Sequence, residues 1–195
     1  MTSQKSIFYG SKQVLIEKAA ALLGKNPTTL LTEAALIVNE EERVMFNLFF
    51  SDFNSLLLEL LNYIKPYVVA DIEKHLLPIK VKPLHRIQNL YQYYIDEFVN
   101  ETPNIYTSAH INVIGYSGNQ EVKIAANELN LLFKNAQINC INDARRQKKI
   151  ELTESSSIVD FILLSWEGAL YQQRNVGSIK SLFIFKNLLT QLLGL

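Results

Sequence analysis

Apolar residues recur every three or four positions along most of this chain, the spacing that places them on one face of an α-helix. The first such stretch follows Ser11 and ends at Gly24, with Leu15, Ala19 and Leu23 on one face. Serine commonly opens helices and glycine commonly ends them. No stretch alternates apolar and polar residues for long enough to predict a strand. The pattern therefore predicts an all-α protein of about nine helices.

The segment 26–61 predicts two short helices followed by a long one. The expected caps of the three helices are Asn26, Asn39 and Ser51. Pro27 suits the first turn after Asn26, Glu42 completes a capping box with Asn39, and Asp52 complements the positive end of the helix dipole after Ser51. The long helix continues to about Leu77, and we expect a kink just before Pro66 because proline removes a backbone hydrogen bond. Two short helices joined by about two residues have the outline of a helix-turn-helix.

Five further helices are predicted after a proline-containing connector at residues 77–83. Their expected ranges are Pro83 to about Asn100, Thr102 to about Ser117, Asn119 to about Lys149, about Thr153 to Arg174, and Ser178 to the end.

The N-terminal helices resemble the DNA-binding head of TetR-type transcriptional regulators. Thr28 and Thr29 resemble the threonine pair that opens the family's first short helix, and residues 50–56 (FSDFNSL) resemble its motif at the start of the long helix. Residues 166–174 (WEGALYQQR) with the apolar last helix resemble the family's C-terminal pair. The resemblance implies a helix-turn-helix head at 1–50 and an effector-binding and dimerisation body at 51–195.

Composition places few limits on this interpretation. Apolar residues make up 48% of the 195 residues, which suffices for a core, and no apolar run is long enough to span a membrane. The single cysteine, Cys140, excludes an intrachain disulfide and fits a reducing compartment. The N-terminal residues lack the pattern of a secretory signal. We therefore expect a cytoplasmic protein.

The resemblance implies double-stranded DNA with a palindromic operator as a partner of the head. The candidate DNA contacts, besides Lys5, are Lys12, Lys25, Thr28, Thr29, Arg43 and Asn47. Residues 25–55, however, hold two basic and five acidic side chains, a net charge of −3. Lysine and arginine supply most non-specific DNA affinity by neutralising phosphates. Either Glu40, Glu41 and Glu42 only stabilise a helix start, or the protein has lost DNA binding and serves as a small-molecule or lipid binder or an interaction module.

Aromatic residues are frequent in the predicted body, where the resemblance implies an effector pocket. The candidate pocket residues are Tyr63, Tyr67, Tyr91, Tyr94, His110, Phe133 and Trp166. Such side chains suit a small apolar or aromatic effector, and an effector between the fourth and eighth helices would bias the tilt of the fourth. The alternative is that these side chains are packed core, because both roles give the same helical spacing.

The last predicted helix is apolar around more of its circumference than one core can bury, which predicts a homodimer. The resemblance likewise implies a two-fold contact between the last two helices. The candidate interface residues are Val159, Ile162, Leu163, Trp166, Leu170, Leu182, Phe185, Leu189 and Leu192. Packing within one protomer is the alternative.

Catalytic chemistry has little support in the sequence. His75, His85 and His110 lie far apart and match no metal-binding spacing, so we expect neither a metal nor a cofactor. Cys140 lies on the apolar face of a predicted helix, where an inert buried thiol is usual. We therefore expect a binding protein rather than an enzyme.

Overall fold

The computed structural model describes residues 2–25, 31–100, 106–148 and 154–195. These residues form nine α-helices and one π-helical turn and contain no strand, so the prediction of an all-α fold with about nine helices is confirmed. In chain order they are α1 (Thr2–Lys25), α2 (Glu33–Leu36), α3 (Glu40–Phe49), α4 (Phe53–Asp71), the π-helical turn (Ile72–Leu76), α5 (Pro83–Val99), α6 (Ser108–Gly115), α7 (Gln120–Lys148), α8 (Ser155–Val176) and α9 (Lys180–Leu193).

The helix starts agree with the sequence at one of the predicted caps and differ at two. The Asn39 side chain accepts a hydrogen bond from the Glu42 N–H at 2.9 Å, which confirms it as the cap of α3. The prediction of Ser51 as the cap of α4 is wrong, because the Asp52 carboxylate accepts from the Ser55 N–H at 2.8 Å. The helix consequently begins at Phe53. Similarly, α1 begins at Thr2 rather than after Ser11. Asn26 and Pro27 lie outside the described residues.

The irregular part of the long fourth helix lies after Pro66. Helix α4 continues through Pro66 without a break, and Asn62, whose carbonyl loses its partner there, is on the exposed side. Wider helical bonding occurs at Ile72–Leu76, where the Leu77 N–H donates to the Ile72 carbonyl at 3.1 Å.

Buried Arg86 of α5 fastens this turn to the body. Its Nε donates to the Val81 carbonyl at 2.9 Å and its Nη1 to the Leu76 carbonyl at 3.5 Å, with Asp143 of α7 at 3.7 Å. The Cys140 thiol also donates to the Leu76 carbonyl, at 3.4 Å. Burial raises the pKa of Cys140 to about 11, so the thiol stays protonated at neutral pH. Cys140 is therefore an inert core residue.

The buried apolar side chains of the N-terminal helices and of the later helices form one continuous core. Helix α1 packs on α2, α3 and α4, and α4 in turn packs on α6 and α7.

Within the described ranges, no single helix is long and apolar enough to cross a membrane. Helix α3 and the following Phe53–Leu76 segment together have the length and apolar composition of a membrane span, but they meet at a bend of 79°.

Asp71, at the end of α4, is a buried carboxylate beside the core. Burial raises its pKa from 3.8 to about 6, while the Tyr94 hydroxyl and the Lys74 ammonium group act in the opposite direction. The folded protein therefore binds this proton more tightly than the unfolded chain, and the free energy of unfolding falls as pH rises from about 4 to 6.

We expect Asp71→Asn to raise the free energy of unfolding by about 2–3 kcal/mol at pH 7.5 and to change it little at pH 4. The substitution removes the charge that burial disfavours and leaves a side chain of the same shape. Urea unfolding at the two pH values measures the effect, with Asp96→Asn on the exposed side of α5 as the control. Equal stability of the parent protein and Asp71→Asn at pH 7.5 would contradict the prediction.

Candidate functional site

The connection between α2 and α3 is held by Lys18 and Glu42. Lys18 Nζ donates to the Leu36 carbonyl at 2.7 Å and to one oxygen of the Glu42 carboxylate, whose other oxygen accepts from the Val38 N–H at 2.8 Å. The hydrogen bond from Lys18 is the main cause that lowers the pKa of Glu42. Glu42 is therefore a structural residue of the turn, which agrees with the helix-start interpretation for this one acid.

Two of the candidate DNA contacts are engaged with carboxylates of the same chain. Lys12 Nζ lies 2.7 Å from the Glu59 carboxylate and 5.7 Å from the centre of the Phe50 ring. Arg43 lies 3.7 Å from the Glu33 carboxylate. Lys25 and Asn47 are exposed, whereas Thr28, Thr29 and the Lys5 side chain lie outside the described residues. The described part of the head thus brings few cations together on one surface.

The exposed face of α3 is acidic and apolar. Glu40 and Glu41 are exposed in its first turn, and Val44 and Leu48 follow on the same side, each more than half exposed. Helical spacing of four residues aligns Glu40, Val44 and Leu48 in one row. This row offers no cation to a phosphate, so base and phosphate contacts from α3 would depend on Arg43 and Asn47.

Four of the predicted pocket residues are packed core. Trp166 is fully buried, and its ring centre lies 5.2 Å from that of Phe185, 5.3 Å from that of Tyr91 and 6.0 Å from that of Tyr94. Phe133 is also buried and stacks on Tyr94, with 6.4 Å between ring centres. These are ordinary separations for contacting aromatic rings. These four aromatic side chains therefore fill the core, as the packed-core alternative predicts.

The other three predicted pocket residues lie on two helices, Tyr63 and Tyr67 on α4 and His110 on α6. The Tyr67 hydroxyl donates to the Tyr63 hydroxyl at 3.3 Å, and the Tyr67 ring packs edge-on against Tyr106. His110 is fully buried, and its Nδ1 accepts from the Thr107 N–H at 3.0 Å at the start of α6. Burial lowers the pKa of His110 to about 3, so its ring is neutral. His110 therefore acts as a helix-capping residue.

A groove between α6, α7 and α8 is lined by a different set of residues. It has two lobes of about 510 and 360 Å³, which share Asn112, Tyr116, Leu164 and Glu167. Volumes of this size accommodate small organic molecules. The larger lobe extends to α7, and the smaller one follows α8 to Tyr171.

Hydrogen bonds join the three helices along this groove. Asn130 of α7 donates to the Asn112 side-chain oxygen at 2.6 Å, and Asn112 of α6 donates to the Glu167 carboxylate of α8 at 2.5 Å. At the rim of the larger lobe, Lys134 and Asp160 form an ion pair at 2.6 Å. Burial raises the pKa of Glu167. The groove therefore combines a partly buried carboxylate with neutral amides.

The sequence pattern does not by itself mark these polar residues as a site. A local signal was present, because Asn112 interrupts the apolar run of α6 and Asn130 lies between Leu129 and Leu131. Neither interruption shows by itself that the two amides and Glu167 meet, since their contact depends on how three helices pack.

The predicted dimer residues lie mainly on the inner faces of α8 and α9, and this assignment is corrected. Seven of the nine are buried inside the protomer: Val159, Ile162, Trp166, Leu170, Leu182, Phe185 and Leu189. Leu163 is half-buried beside the groove, and Leu192 is exposed. Side chains already enclosed by their own chain cannot form a contact surface.

The same two helices carry apolar residues on their outer faces. The outer apolar face comprises Phe161, Leu164, Ile184, Leu188 and Leu192. The Ser181 hydroxyl donates to the Ala169 carbonyl at 2.9 Å, so α8 and α9 lie side by side. Phe161, Leu164, Ile184 and Leu188 are each at least half exposed, and exposed large apolar side chains on neighbouring helices can mark a contact surface. A contact between copies through α8 and α9 would use this face.

No protein-family model matches this chain, and no curated protein sequence matches it either.

Proposed function

We propose that this protein is a DNA-binding transcriptional regulator of the TetR type, a homodimeric and ligand-responsive repressor of the cytoplasm. The observation that carries the proposal is the helix-turn-helix unit: α2 and α3 joined by residues 37–39, held by Lys18 and Glu42 and packed on α1. This unit is mounted on a helical body that has both a small-molecule groove and an exposed apolar face.

Two-fold pairing would let the repressor contact two half-sites of DNA at once. A dimer formed through the outer apolar face presents two copies of α3, and dimeric helix-turn-helix proteins bind half-sites about one helical turn apart. Arg43 would pair with guanine and Asn47 with adenine. A ligand in the body would act by favouring one spacing of the two heads over another. Leu164 belongs to both the groove and the outer apolar face, so a ligand in the groove would border a dimer contact through that face.

Selection of random duplexes at low salt, followed by gel-shift titration, tests DNA binding. We expect a palindromic site, and we expect Arg43→Ala and Asn47→Ala each to weaken binding by roughly tenfold to a hundredfold. Lys123→Ala, at an exposed position of α7, should bind as the parent protein does. Failure of the folded protein to retard any duplex at low salt would refute the proposal.

A second candidate is a protein with this fold that binds a small molecule, a lipid or another protein without binding DNA. The acidic and apolar row on α3 favours it, because Glu40 and Glu41 would repel phosphates while Val44 and Leu48 suit an apolar partner. The same selection separates the two candidates. Ligand binding in the body without any retained duplex would support this second function.

A further inference from the structure

We infer that the groove between α6, α7 and α8 binds a small organic ammonium compound, a primary amine with an aromatic or branched alkyl body, with Glu167 as its counter-charge. The inference deepens the proposed function, since it rests on the ligand-responsive part of that proposal and names the chemical class of the effector.

The charge balance of the groove favours a cation. Its charged lining residues are Lys134, Asp160 and Glu167, and the first two neutralise each other at 2.6 Å. Glu167 receives a hydrogen bond from the neutral Asn112 amide, and no cation pairs with it in the described part of the chain. A partly buried carboxylate without a cation is unfavourable. A bound ammonium group would supply the missing positive charge, whereas an anionic ligand would be repelled.

The larger lobe contains hydrogen-bonding atoms that have no partner in the described part of the protein. Among the described residues, the Ser108 hydroxyl and the Asn130 side-chain oxygen are buried without a partner, and Ser108 as a whole is only 3% exposed. Both residues line the same lobe as Glu167. A primary ammonium group has three N–H donors, which matches one carboxylate and two neutral oxygens. This match favours a primary amine over a quaternary one.

The walls of the groove are aromatic and apolar. Tyr116, which directly follows α6, and Tyr171 of α8 are exposed aromatic residues that line the smaller lobe together with Glu167. Leu131, Leu163 and Leu164 line the larger lobe. Aromatic faces attract cations and apolar walls bind hydrocarbon, so the groove suits a molecule with a charged end and an apolar body.

Calorimetric titration of the full-length protein with phenethylammonium tests the inference. Two analogues of similar size, neutral 2-phenylethanol and anionic phenylacetate, serve as comparison ligands. We expect phenethylammonium to bind most tightly and phenylacetate least. Glu167→Gln keeps the shape of the side chain but removes its charge, and should weaken phenethylammonium binding by about tenfold or more. Glu128→Gln, at an exposed position of α7 outside the groove, should leave binding unchanged.

A second variant keeps the inference testable if Glu167→Gln does not fold. Leu131 lines the groove but is 53% exposed, so Leu131→Trp should fill the larger lobe and weaken binding without disturbing the core. Thermal unfolding of each variant shows whether it is folded at the titration temperature.

Three results would overturn the inference: equal affinity for 2-phenylethanol and phenethylammonium, unchanged binding by a folded Glu167→Gln, or no binding of phenethylammonium up to millimolar concentration. Because the titration contains no DNA, these results would not contradict the proposed DNA binding, which the duplex selection tests separately. Conversely, amine binding by a protein that retards no duplex would support the inference and the second candidate function.

Discussion

Replacing Trp166 by alanine is expected to lower the free energy of unfolding by about 3–5 kcal/mol, the usual cost of removing a large buried aromatic side chain. Trp166 contacts four other rings, those of Tyr91, Tyr94, Phe98 and Phe185. Its removal would take away these contacts and leave a cavity between α5, α8 and α9 that helices packed this closely cannot close. Guanidinium unfolding monitored by circular dichroism measures the loss.

Tyr171→Ala is the matched control, because Tyr171 lies on the same helix but is 55% exposed. Its substitution should change the free energy of unfolding by less than about 1 kcal/mol. The comparison also separates the two interpretations of the aromatic residues. If Trp166→Ala were as stable as Tyr171→Ala and changed only ligand binding, the aromatic cluster would be a pocket, as the family resemblance implies.

The sequence could not distinguish a pocket from a core at Trp166 and Tyr91. Both roles need large side chains on the inner face of a helix, and the helical spacing records only that face. What decides the matter is the distance between rings on different helices, which depends on packing among α5, α8 and α9. Tyr94 and Phe133 are ambiguous in the sequence for the same reason.

The presence of each helix was predictable because it depends on the local pattern of apolar residues. The first residue of a helix is harder to predict, because two adjacent residues can both be able to cap it. Ser51 and Asp52 can both cap a helix, and only the structure shows that the Asp52 carboxylate meets the Ser55 N–H. The Asn39 cap was predicted correctly because no rival lies beside it. A run of apolar residues on both sides, as in α9, likewise predicts helix but does not say which side faces inward.

The candidate site was the least predictable part. Asn112, Asn130 and Glu167 lie 18 and 37 residues apart along the chain, on three different helices. Their hydrogen bonds follow from the order and tilt of α6, α7 and α8, and no spacing rule within one helix contains that information. Glu42 is a similar case, since its partner Lys18 lies on α1. The sequence placed Glu42 at the start of α3 beside Asn39 but gave no sign of a partner on α1.

The outer apolar face gives the second large expected effect. We expect the double substitution Ile184→Glu with Leu188→Glu to convert a dimer into a monomer, weakening association by on the order of a thousandfold or more. Both side chains are about half exposed in the protomer, so glutamate is tolerated there in a single copy. In a two-fold contact the same face meets itself, and four carboxylates would be buried close together without counter-charges.

Sedimentation equilibrium at micromolar concentration measures this effect, with the parent protein expected at twice 22.3 kDa and the double variant at 22.3 kDa. Ile79→Glu is the control, since Ile79 is an exposed apolar residue in the connection before α5 and should leave the dimer intact. A dimer that survives the double substitution would place the contact elsewhere, and a monomeric parent protein would remove the pairing of heads that a palindromic operator requires. Because a monomer holds a single α3, the double variant should also lose most of its affinity for the two-half-site duplex while keeping the amine affinity of its groove.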